Sequence, residues 1–484
     1  MKSSKPVRSL ALTVLLAVLV PTVSSAVDGE ESVTGVADIW TGDFGGMAER
    51  RVIRALVVYN KMQFFVDNGR PRGVTHDLLL EFEKFVNEKL QTGALKVNVL
   101  IVPVTRDRLL PSLLEGKGDI AASNLTITAE RRRQVDFSDP LLKDVSEIVI
   151  TASGEPKLES LDDLSGREIY VRASSSYHGS LQKLNDTLKK KGKAPVKVVA
   201  ADEVLEDSDL LEMVNAGMIP AVVVDSHKAR LWGEIFDRIT LHPDVAVNTG
   251  GEIAWAFRKE SPELEGIVNE FVKGNRKGTL MGNILFKRYL QQNTWARRAT
   301  SPAELEKFNR LAELFRKYAD QYDFDYLMTL ALAYQESTLD QSKESHVGAI
   351  GIMQLMPTTA ADKNVGIPDI DDLENNIHAG NRYLRFLRSR YFDDPAIDPT
   401  NRTLLTFAAY NAGPGRVASL RKEAAEMGLD PNVWFNNVEV VAGKRIGRET
   451  VQYVSNIYKY YVAYKLIVEG RGAAEEAKSG IGSR

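Results

Sequence analysis

Residues 325–337 read DYLMTLALAYQES, and apolar side chains recur in this stretch at the spacing of an α-helix. The same periodicity continues on both sides of it. It is found in AELEKFNRLAELFRKYADQY, NNIHAGNRYLRFLRSRYF, TLLTFAAYNAG and TVQYVSNIYKYYVAYKLIVEG. No strand-like alternation interrupts these segments, so the sequence predicts an all-α domain over residues 303–470. The segment TWARRATSP (residues 294–302) precedes it and is typical of a linker.

Before that linker, strand-like and helical segments alternate over residues 50–293. The strand-like runs include IRALVVYN, VNVLIVPV, REIYVRAS and AVVVD. Helical spacing is found between them, in LLLEFEKFVNEKL and SYHGSLQKLNDTLKKKG. The alternation stops after IVITA (residues 148–152) and then starts again. Two successive units of this kind predict an α/β domain with a mostly parallel sheet, two lobes and a binding cleft between them.

The N-terminus has the pattern of an export signal. Basic residues precede the apolar run LALTVLLAVLV, and small residues follow it up to Ala26. The run is shorter than the about 20 residues that span a bilayer. We therefore expect a cleaved signal peptide at residues 1–26, with an uncleaved anchor as the alternative. Residues 27–49 are expected to be a leader, and residues 471–484 a polar, frayed tail.

Composition excludes several kinds of site. The chain has no cysteine, which excludes disulfides, thiolate metal sites and a lipid anchor on an N-terminal cysteine. The formal net charge of −3 gives no basic field that would attract nucleic acid. The six histidines are scattered without the paired spacing of metal ligands. We expect no metal, no cofactor and no nucleic-acid partner.

Four short motifs stand out in the helical domain: Gln335-Glu336-Ser337, GAIGIMQLMPTTA (residues 348–360), AAYNAGPGRV (residues 408–417), and Glu449-Thr450 followed by Tyr453-Val454. In this order and spacing they resemble the lysozyme-like lytic transglycosylases. That resemblance implies cleavage of the MurNAc–GlcNAc β-1,4 bond of peptidoglycan, with Glu336 as the only catalytic residue.

The resemblance implies that one glutamate acts twice. Glu336 would protonate the glycosidic oxygen and then take a proton from the muramic C6 hydroxyl, which closes a 1,6-anhydro ring. An acid that works near neutral pH needs a raised pKa, and the apolar residues in its motifs favour one. Most glycosidases use two carboxylates. Asp340, Glu344 and Glu374 are therefore candidates for a second one, which would make the enzyme a lysozyme-type hydrolase that uses water.

The same resemblance implies a set of substrate-binding residues. They are Ser337, Met353, Gln354, Tyr410, Asn411, Glu449 and Tyr453. The hydroxyl of Tyr453 is expected to approach Glu336. Other readings stay open for three of them: Ser337 as a helix cap, Met353 as a core residue and Tyr453 as a buried structural tyrosine.

The segment GDIAASNLTITAERRRQVDFSDPL (residues 118–141) resembles the extracellular solute-binding proteins of family 3, which bind polar amino acids. That resemblance implies a ligand cleft with Arg131 on the ligand's carboxylate and Asp225 on its ammonium. Thr126 and Ser175 are expected to contribute further contacts. The alternatives are a solvated basic patch for Arg131 and helix caps for Asp225 and Ser175.

Both domains together resemble the membrane-bound lytic murein transglycosylases. The implied fold is a two-lobed, periplasmic-binding-protein-like α/β domain followed by an all-α, lysozyme-like domain. The implied partners are peptidoglycan strands and an amino acid or muropeptide-like ligand that modulates activity. The implied location is the periplasm, peripheral to the outer membrane and without a lipid anchor. The alternative to an enzyme is a binding protein whose helical domain only holds peptidoglycan.

Overall fold

The computed structural model of the chain describes residues 38–67, 70–291 and 302–482. The expected signal peptide and most of the expected linker lie outside these ranges. Among the described helices, none combines the length and the apolar composition that crossing a bilayer requires.

The α/β domain occupies the described chain as far as residue 291. Its strands are Val52–Val57 (β1), Phe65–Asp67 (β2), Arg70–Arg72 (β3), Asn98–Pro103 (β4), Ile120–Thr126 (β5), Asp136–Phe137 (β6), Leu142–Ala152 (β7), Glu168–Arg172 (β8), Lys197–Ala201 (β9), Ala221–Asp225 (β10) and Ile239–Phe257 (β11). Its α-helices are Phe44–Glu49 (α1), Val74–Leu90 (α2), Leu109–Leu114 (α3), Ala129–Gln134 (α4), Ser176–Lys190 (α5), Asp207–Asn215 (α6), Ser226–Gly233 (α7), Pro262–Asn275 (α8) and Leu280–Phe286 (α9). Strand β10 is buried at every position, as expected of a strand covered on both faces.

The main sheet has the strand order β4-β1-β5-β11-β7-β10-β8-β9, with β6 beside β11. Strand β1 is parallel to β4 and β5, and β8 is parallel to β9 and β10. The long strands β7 and β11 run antiparallel to their neighbours. The expectation of a mostly parallel sheet therefore holds only towards its two ends. Periodicity identifies a strand but not its direction, and β7 and β11 connect the two lobes.

The second domain consists of helices, as predicted. They are Pro302–Tyr322 (α10), Tyr326–Ser337 (α11), Pro357–Ala361 (α12), Leu373–Tyr391 (α13), Pro399–Ala412 (α14), Pro414–Glu426 (α15), Glu439–Arg445 (α16) and Arg448–Gly482 (α17). Helix α11 lies in the middle of their core and packs against α10 and α17. Its residues from Leu327 to Ala333 are buried, because this helix is apolar on nearly every side.

Two terminal segments differ from expectation. The leader predicted for residues 27–49 ends in helix α1, where Phe44 and Met47 join the core of the α/β domain. Asp43 caps this helix by accepting a hydrogen bond from the amide of Phe44. The tail predicted for residues 471–484 continues helix α17 as far as Gly482.

Helix α17 also joins the two domains. It packs along β4, which is an edge strand of the main sheet. Lys459 on this helix forms an ion pair with Glu83 on α2, with Nζ to Oε1 at 2.9 Å. Covering an edge strand with a helix removes an exposed row of backbone hydrogen-bonding groups.

Candidate active site

Glu336 lies in the last turn of helix α11. Asp325 starts this helix by accepting a hydrogen bond from the amide of Leu327. Thr338 ends it in the left-handed conformation, with φ of 58°. The helix thus brings Glu336 from the buried core to the domain's surface, where the side chain is half-buried.

The surroundings of Glu336 favour its protonated form. Burial raises the pKa of its carboxyl group to about 7, against smaller lowering effects of Tyr453 and Lys343. The hydroxyl of Tyr453 donates a hydrogen bond to Oε1 at 2.5 Å. Lys343 Nζ donates to the backbone carbonyl of Glu336. A carboxyl with a pKa near 7 can give up a proton and take one back at neutral pH.

Two tyrosines from other helices line this site. Tyr453 projects from α17, and burial raises its pKa well above the usual value, so its hydroxyl stays a donor. Tyr410 at the end of α14 donates a hydrogen bond to the carbonyl of Met353 at 2.8 Å. Burial, together with the charge of Glu336, also raises the pKa of Tyr410. The predicted approach of Tyr453 to Glu336 is therefore present in the structure.

The loop after α11 is shaped by Gly351 and a residue that sequence reasoning missed. Gly351 has φ of +80°, and a Cβ there would meet Nδ2 of Asn376 at 2.2 Å. The fully buried Asn376 donates to the carbonyl of Ile350 and accepts from the amide of Met353 at 2.9 Å. Its role rests on contacts distant in sequence, so the segment NNIHAGN gave no local signal for it.

Three residues predicted to contact the substrate have partners within the protein, and their contact with the glycan stays a prediction. The Ser337 hydroxyl is buried, donates to the carbonyl of Ile352 at 2.8 Å and accepts from the amide of Asp340. The Met353 side chain is fully buried in the helical core. Gln354 Nε2 donates to the carbonyls of Lys343 and Gly351. These side chains hold the loop, since their polar atoms or surfaces face inward.

Asn411 and Glu449 lie at the junction of α14 and α17. Asn411 Oδ1 accepts a hydrogen bond from the hydroxyl of Thr450 at 2.7 Å. Glu449 is exposed in the first turn of α17, where a negative charge is favourable beside the helix N-terminus. The expected contact of these residues with the glycan stays a prediction.

The candidates for a second carboxylate have other partners. Asp340 is exposed and accepts hydrogen bonds from Ser342, which lower its pKa. Glu374 pairs with Lys317 at 2.7 Å, and this hydrogen bond lowers its pKa. Neither carboxylate contributes to the shift of the Glu336 pKa. Glu344 is exposed.

In the α/β domain, Arg131 connects the two lobes. Its guanidinium donates to the carbonyl of Thr126 at 2.9 Å and to the carbonyl of Ser174 at 3.0 Å. Burial lowers the pKa of Arg131 to about 10. Thr126 is buried, and its hydroxyl lies 3.5 Å from that of Ser176. The interpretation of Arg131 as part of a solvated basic patch does not fit this environment.

Ser175 and Asp225 are placed differently from expectation. Ser175 caps helix α5 by accepting a hydrogen bond from the amide of His178, and its hydroxyl donates to the carbonyl of Arg172 at 2.7 Å. Asp225 is buried, and its Oδ2 already contacts Lys228 Nζ at 2.7 Å. The protein's own ammonium group therefore occupies one side of the carboxylate that was expected to pair with the ligand. Lys228 was missed because its pairing depends on the helix that follows β10.

Further ion pairs lie next to the pair of Asp225 and Lys228. Lys228 Nζ also contacts Asp207 Oδ2 at 2.7 Å, and Arg172 pairs with Asp207 at 2.5 Å. Arg106 from the first lobe pairs with Glu206 of the second at 2.6 Å. These groups are buried, and each charge has an opposite partner, as buried ion pairs require.

No group of His, Asp and Glu side chains that could hold a metal ion is present in the part of the chain that the structure describes.

Comparison with known proteins identifies both domains. Residues 313–431 match the model of the transglycosylase SLT domain. Residues 55–292 match that of the bacterial extracellular solute-binding proteins, family 3. Both domain resemblances and the two-part fold are thereby confirmed. The first match includes Glu336 and the two motifs that follow it, and it ends before Tyr453.

Relatives are similar over most of the chain. The membrane-bound lytic murein transglycosylase F of Desulfosudis oleivorans is 30% identical over 434 residues, covering 84% of this chain and 89% of the relative. That of Pseudomonas fluorescens strain Pf0-1 is 26% identical, covering 85% and 84%. Among solved structures, an ancestral arginine-binding protein bound to arginine is 26% identical, covering 49% of this chain and 97% of the other, with a TM-score of 0.40.

Proposed function

The chain belongs to the membrane-bound lytic murein transglycosylase F family, and on this premise we propose that Glu336 is its catalytic acid and base. The chain is thus a lytic murein transglycosylase, an enzyme that cleaves the glycan strands of peptidoglycan. The observation that supports our assignment is the half-buried Glu336 carboxyl, with a pKa of about 7 and a 2.5 Å hydrogen bond from Tyr453.

In the first step Glu336 acts as an acid. Its proton goes to the oxygen of the MurNAc–GlcNAc bond as the bond between that oxygen and the muramic C1 breaks. The GlcNAc residue leaves with a free 4-hydroxyl group. The positive charge that develops at C1 is stabilised by the carbonyl oxygen of the substrate's own N-acetyl group. Glu336 is left as a carboxylate.

In the second step the same group acts as a base. The Glu336 carboxylate takes the proton of the muramic C6 hydroxyl as that oxygen bonds to C1. The product is a 1,6-anhydromuramic end, and Glu336 is protonated again. Water is neither consumed nor released in these two steps. The Tyr453 hydroxyl stabilises the carboxylate between the steps, since a hydrogen bond to a charged acceptor is stronger than one to a neutral acceptor.

A second carboxylate close to Glu336 would raise the pKa of Glu336 by charge repulsion, and none of the described carboxylates contributes to that shift. Asp340 and Glu374 accept hydrogen bonds from Ser342 and Lys317 instead. In two-carboxylate glycosidases the second carboxylate lies roughly 5–9.5 Å from the acid, where its charge acts on the acid, so the surroundings of Glu336 favour a single carboxylate.

The substitution Glu336→Gln tests the assignment. It keeps the side chain's shape but removes the titrating proton. We expect the release of fragments from purified sacculi to fall by about a thousandfold or more, because both steps lose their proton carrier. Glu344→Gln, on the loop that follows, is the matched control and should retain normal release. Activity retained by Glu336→Gln would contradict the assignment.

We also propose that the α/β domain binds a small amino acid or wall peptide that modulates cleavage. Arg131 supports this proposal, because it is half-buried between the lobes and, among the described residues, its guanidinium donates to backbone carbonyls rather than to a carboxylate. A ligand can shift activity only if it binds the closed and open arrangements with different affinity. If Arg131→Ala removed ligand binding while added ligand left sacculus digestion unchanged in both proteins, the coupling would be excluded.

The proposed location is the periplasm, peripheral to the outer membrane. It is supported by the membrane-bound relatives and by the export-signal pattern at residues 1–26. Fractionation of cells should recover the chain with outer membranes and release it at high salt or alkaline pH. Recovery in the cytoplasm would contradict it.

A further inference from the structure

Glu147 is a buried carboxylate without a hydrogen bond. It lies on strand β7, directly opposite Asp225 in the pairing with β10. Its exposure is 1%, and neither carboxylate oxygen has a hydrogen-bond partner. The hydroxyls of Ser180 and Ser176 lie close enough to oppose the rise in its pKa that burial causes, but they do not meet hydrogen-bond geometry. A buried carboxylate is costly unless a donor or a cation meets it.

Asp225, next to Glu147, is satisfied on one side only. Oδ2 accepts from Lys228 at 2.7 Å and from Asn124 at 3.1 Å, whereas Oδ1 has no partner. Lys228 is shared with Asp207, so its charge does not balance both Asp225 and Glu147. Two neighbouring buried carboxylates therefore have three oxygen atoms without a hydrogen-bond partner.

Arg131 supplies the opposite charge at the same place. Both Glu147 and Asp225 act on it electrostatically. Within the described residues it forms no ion pair with a carboxylate, and its hydrogen bonds go to the carbonyls of Thr126 and Ser174. A guanidinium with donors to spare is suited to a ligand's carboxylate.

We propose that this cleft binds an amino acid with a cationic side chain, and that Glu147 is the residue that recognises the side-chain cation. The ligand's carboxylate meets Arg131, its α-ammonium meets Oδ1 of Asp225, and its second cation meets Glu147. This inference rests on the proposed ligand-binding function of the α/β domain. It adds Glu147 to the residues of the site. It also specifies that the ligand's side chain is positively charged.

L-lysine and L-norleucine test the proposal, because norleucine has the same four-carbon side chain with a hydrogen atom in place of lysine's ammonium group. Titration calorimetry on the full mature chain should show lysine binding at least about tenfold more tightly than norleucine. With Glu147→Gln, the affinity for lysine should fall by about tenfold or more, and the preference over norleucine should disappear. Unfolding curves of the variant, which is nearly identical in shape, check that it folds.

The outcomes separate this inference from the broader proposal. If wild type bound both amino acids equally, or if Glu147→Gln kept the preference for lysine, Glu147 would not recognise a cation. In that case, if Arg131→Ala lost the binding of both amino acids, the wild-type cleft would still be shown to bind them through Arg131. If wild type bound neither amino acid, both the cationic ligand and the amino-acid cleft would be overturned.

Discussion

The hydrogen bond between Tyr453 and Glu336 links two residues that are 117 positions apart in the sequence. Its effect on the carboxyl group opposes that of burial, which is the larger of the two. The pKa of about 7 is thus a balance between an environment that disfavours charge and a donor that stabilises it.

Removing the Tyr453 hydroxyl should shift this balance. In Tyr453→Phe the carboxylate loses its donor, so the pKa of Glu336 rises above the wild-type value. The protonated form is the active acid, so kcat/KM of the wild type falls as pH increases through about 7. We expect the variant's alkaline limb to move up by roughly one pH unit. Initial rates on soluble glycan fragments across pH measure it, and an unmoved or lowered limb would contradict the account.

At this scale the sequence indicated which two residues lie together but not the contacts that surround them. Glu336 and its proximity to Tyr453 came from motif resemblance, and the structure has both residues together. Asn376 and Lys228 could not be predicted, because each acts on a segment that only the fold brings near. Ser337 and Met353 lie in the right motifs, but their side chains turn inward.

The loop between α11 and α12 positions the active site by close backbone packing. Gly351 lies against the amide group of Asn376, which fixes the carbonyl of Ile350 and the amide of Met353. Gly348 has a similar φ of +84°, yet nothing lies within 4 Å of where its Cβ would be. The two glycines therefore have the same backbone conformation and different surroundings.

Replacing each glycine with alanine separates the energetic cost of backbone strain from the cost of steric crowding. Gly348→Ala should cost about 1 kcal/mol, the penalty of a left-handed backbone. Gly351→Ala should cost roughly 2–4 kcal/mol, because Asn376 must also move, and it should reduce sacculus digestion strongly. Urea unfolding gives the free energies of unfolding. Equal losses in the two variants would mean that the contact with Asn376 does not matter.

Elements were predictable where local periodicity decides them. Helices α2, α5 and α11 and strands β1, β4, β8 and β10 lie where their apolar spacing indicated. Helical spacing extends over RDRLLPSLLEGKG, but helix α3 covers only Leu109–Leu114. Helix α1 was missed, since a six-residue Gly-rich segment has little periodicity and folds because Phe44 and Met47 reach the core.

At the scale of the whole molecule, ion pairs join the catalytic and binding domains. Arg51 beside β1 contacts Glu439 on α16, with Nη2 to Oε1 at 2.8 Å. Glu439 has no exposed surface, and burial raises its pKa. A small cavity of about 30 Å³ adjoins this pair and is lined by both domains, including Ser455 and Tyr458.

Removing Arg51 from its ion pair with Glu439 should destabilise the packing of the two domains against each other. Arg51→Ala leaves a buried carboxylate without its cation, at a cost of about 3–5 kcal/mol. The double variant Arg51→Ala/Glu439→Gln removes the charge as well and should recover part of the loss. Scanning calorimetry resolves the transitions of the two domains. If Arg51→Ala unfolded like the wild type, the pair would not contribute to docking.

The domain order was predictable from sequence because each half carries its own motifs. The packing of α17 on β4 and the pairing of Arg51 with Glu439 were not, since surface residues of two domains give no periodic signal. The linker at residues 294–302 stays a prediction, as most of it lies outside the described residues.

The central claim is that one glutamate cleaves the glycan without water. Mass analysis of the fragments that the purified chain releases from sacculi tests it most directly. We expect muropeptides that end in 1,6-anhydromuramic acid and are lighter by one water than hydrolysis products. Fragments with ordinary reducing ends, released by the wild type and lost in Glu336→Gln, would show a hydrolase and contradict it.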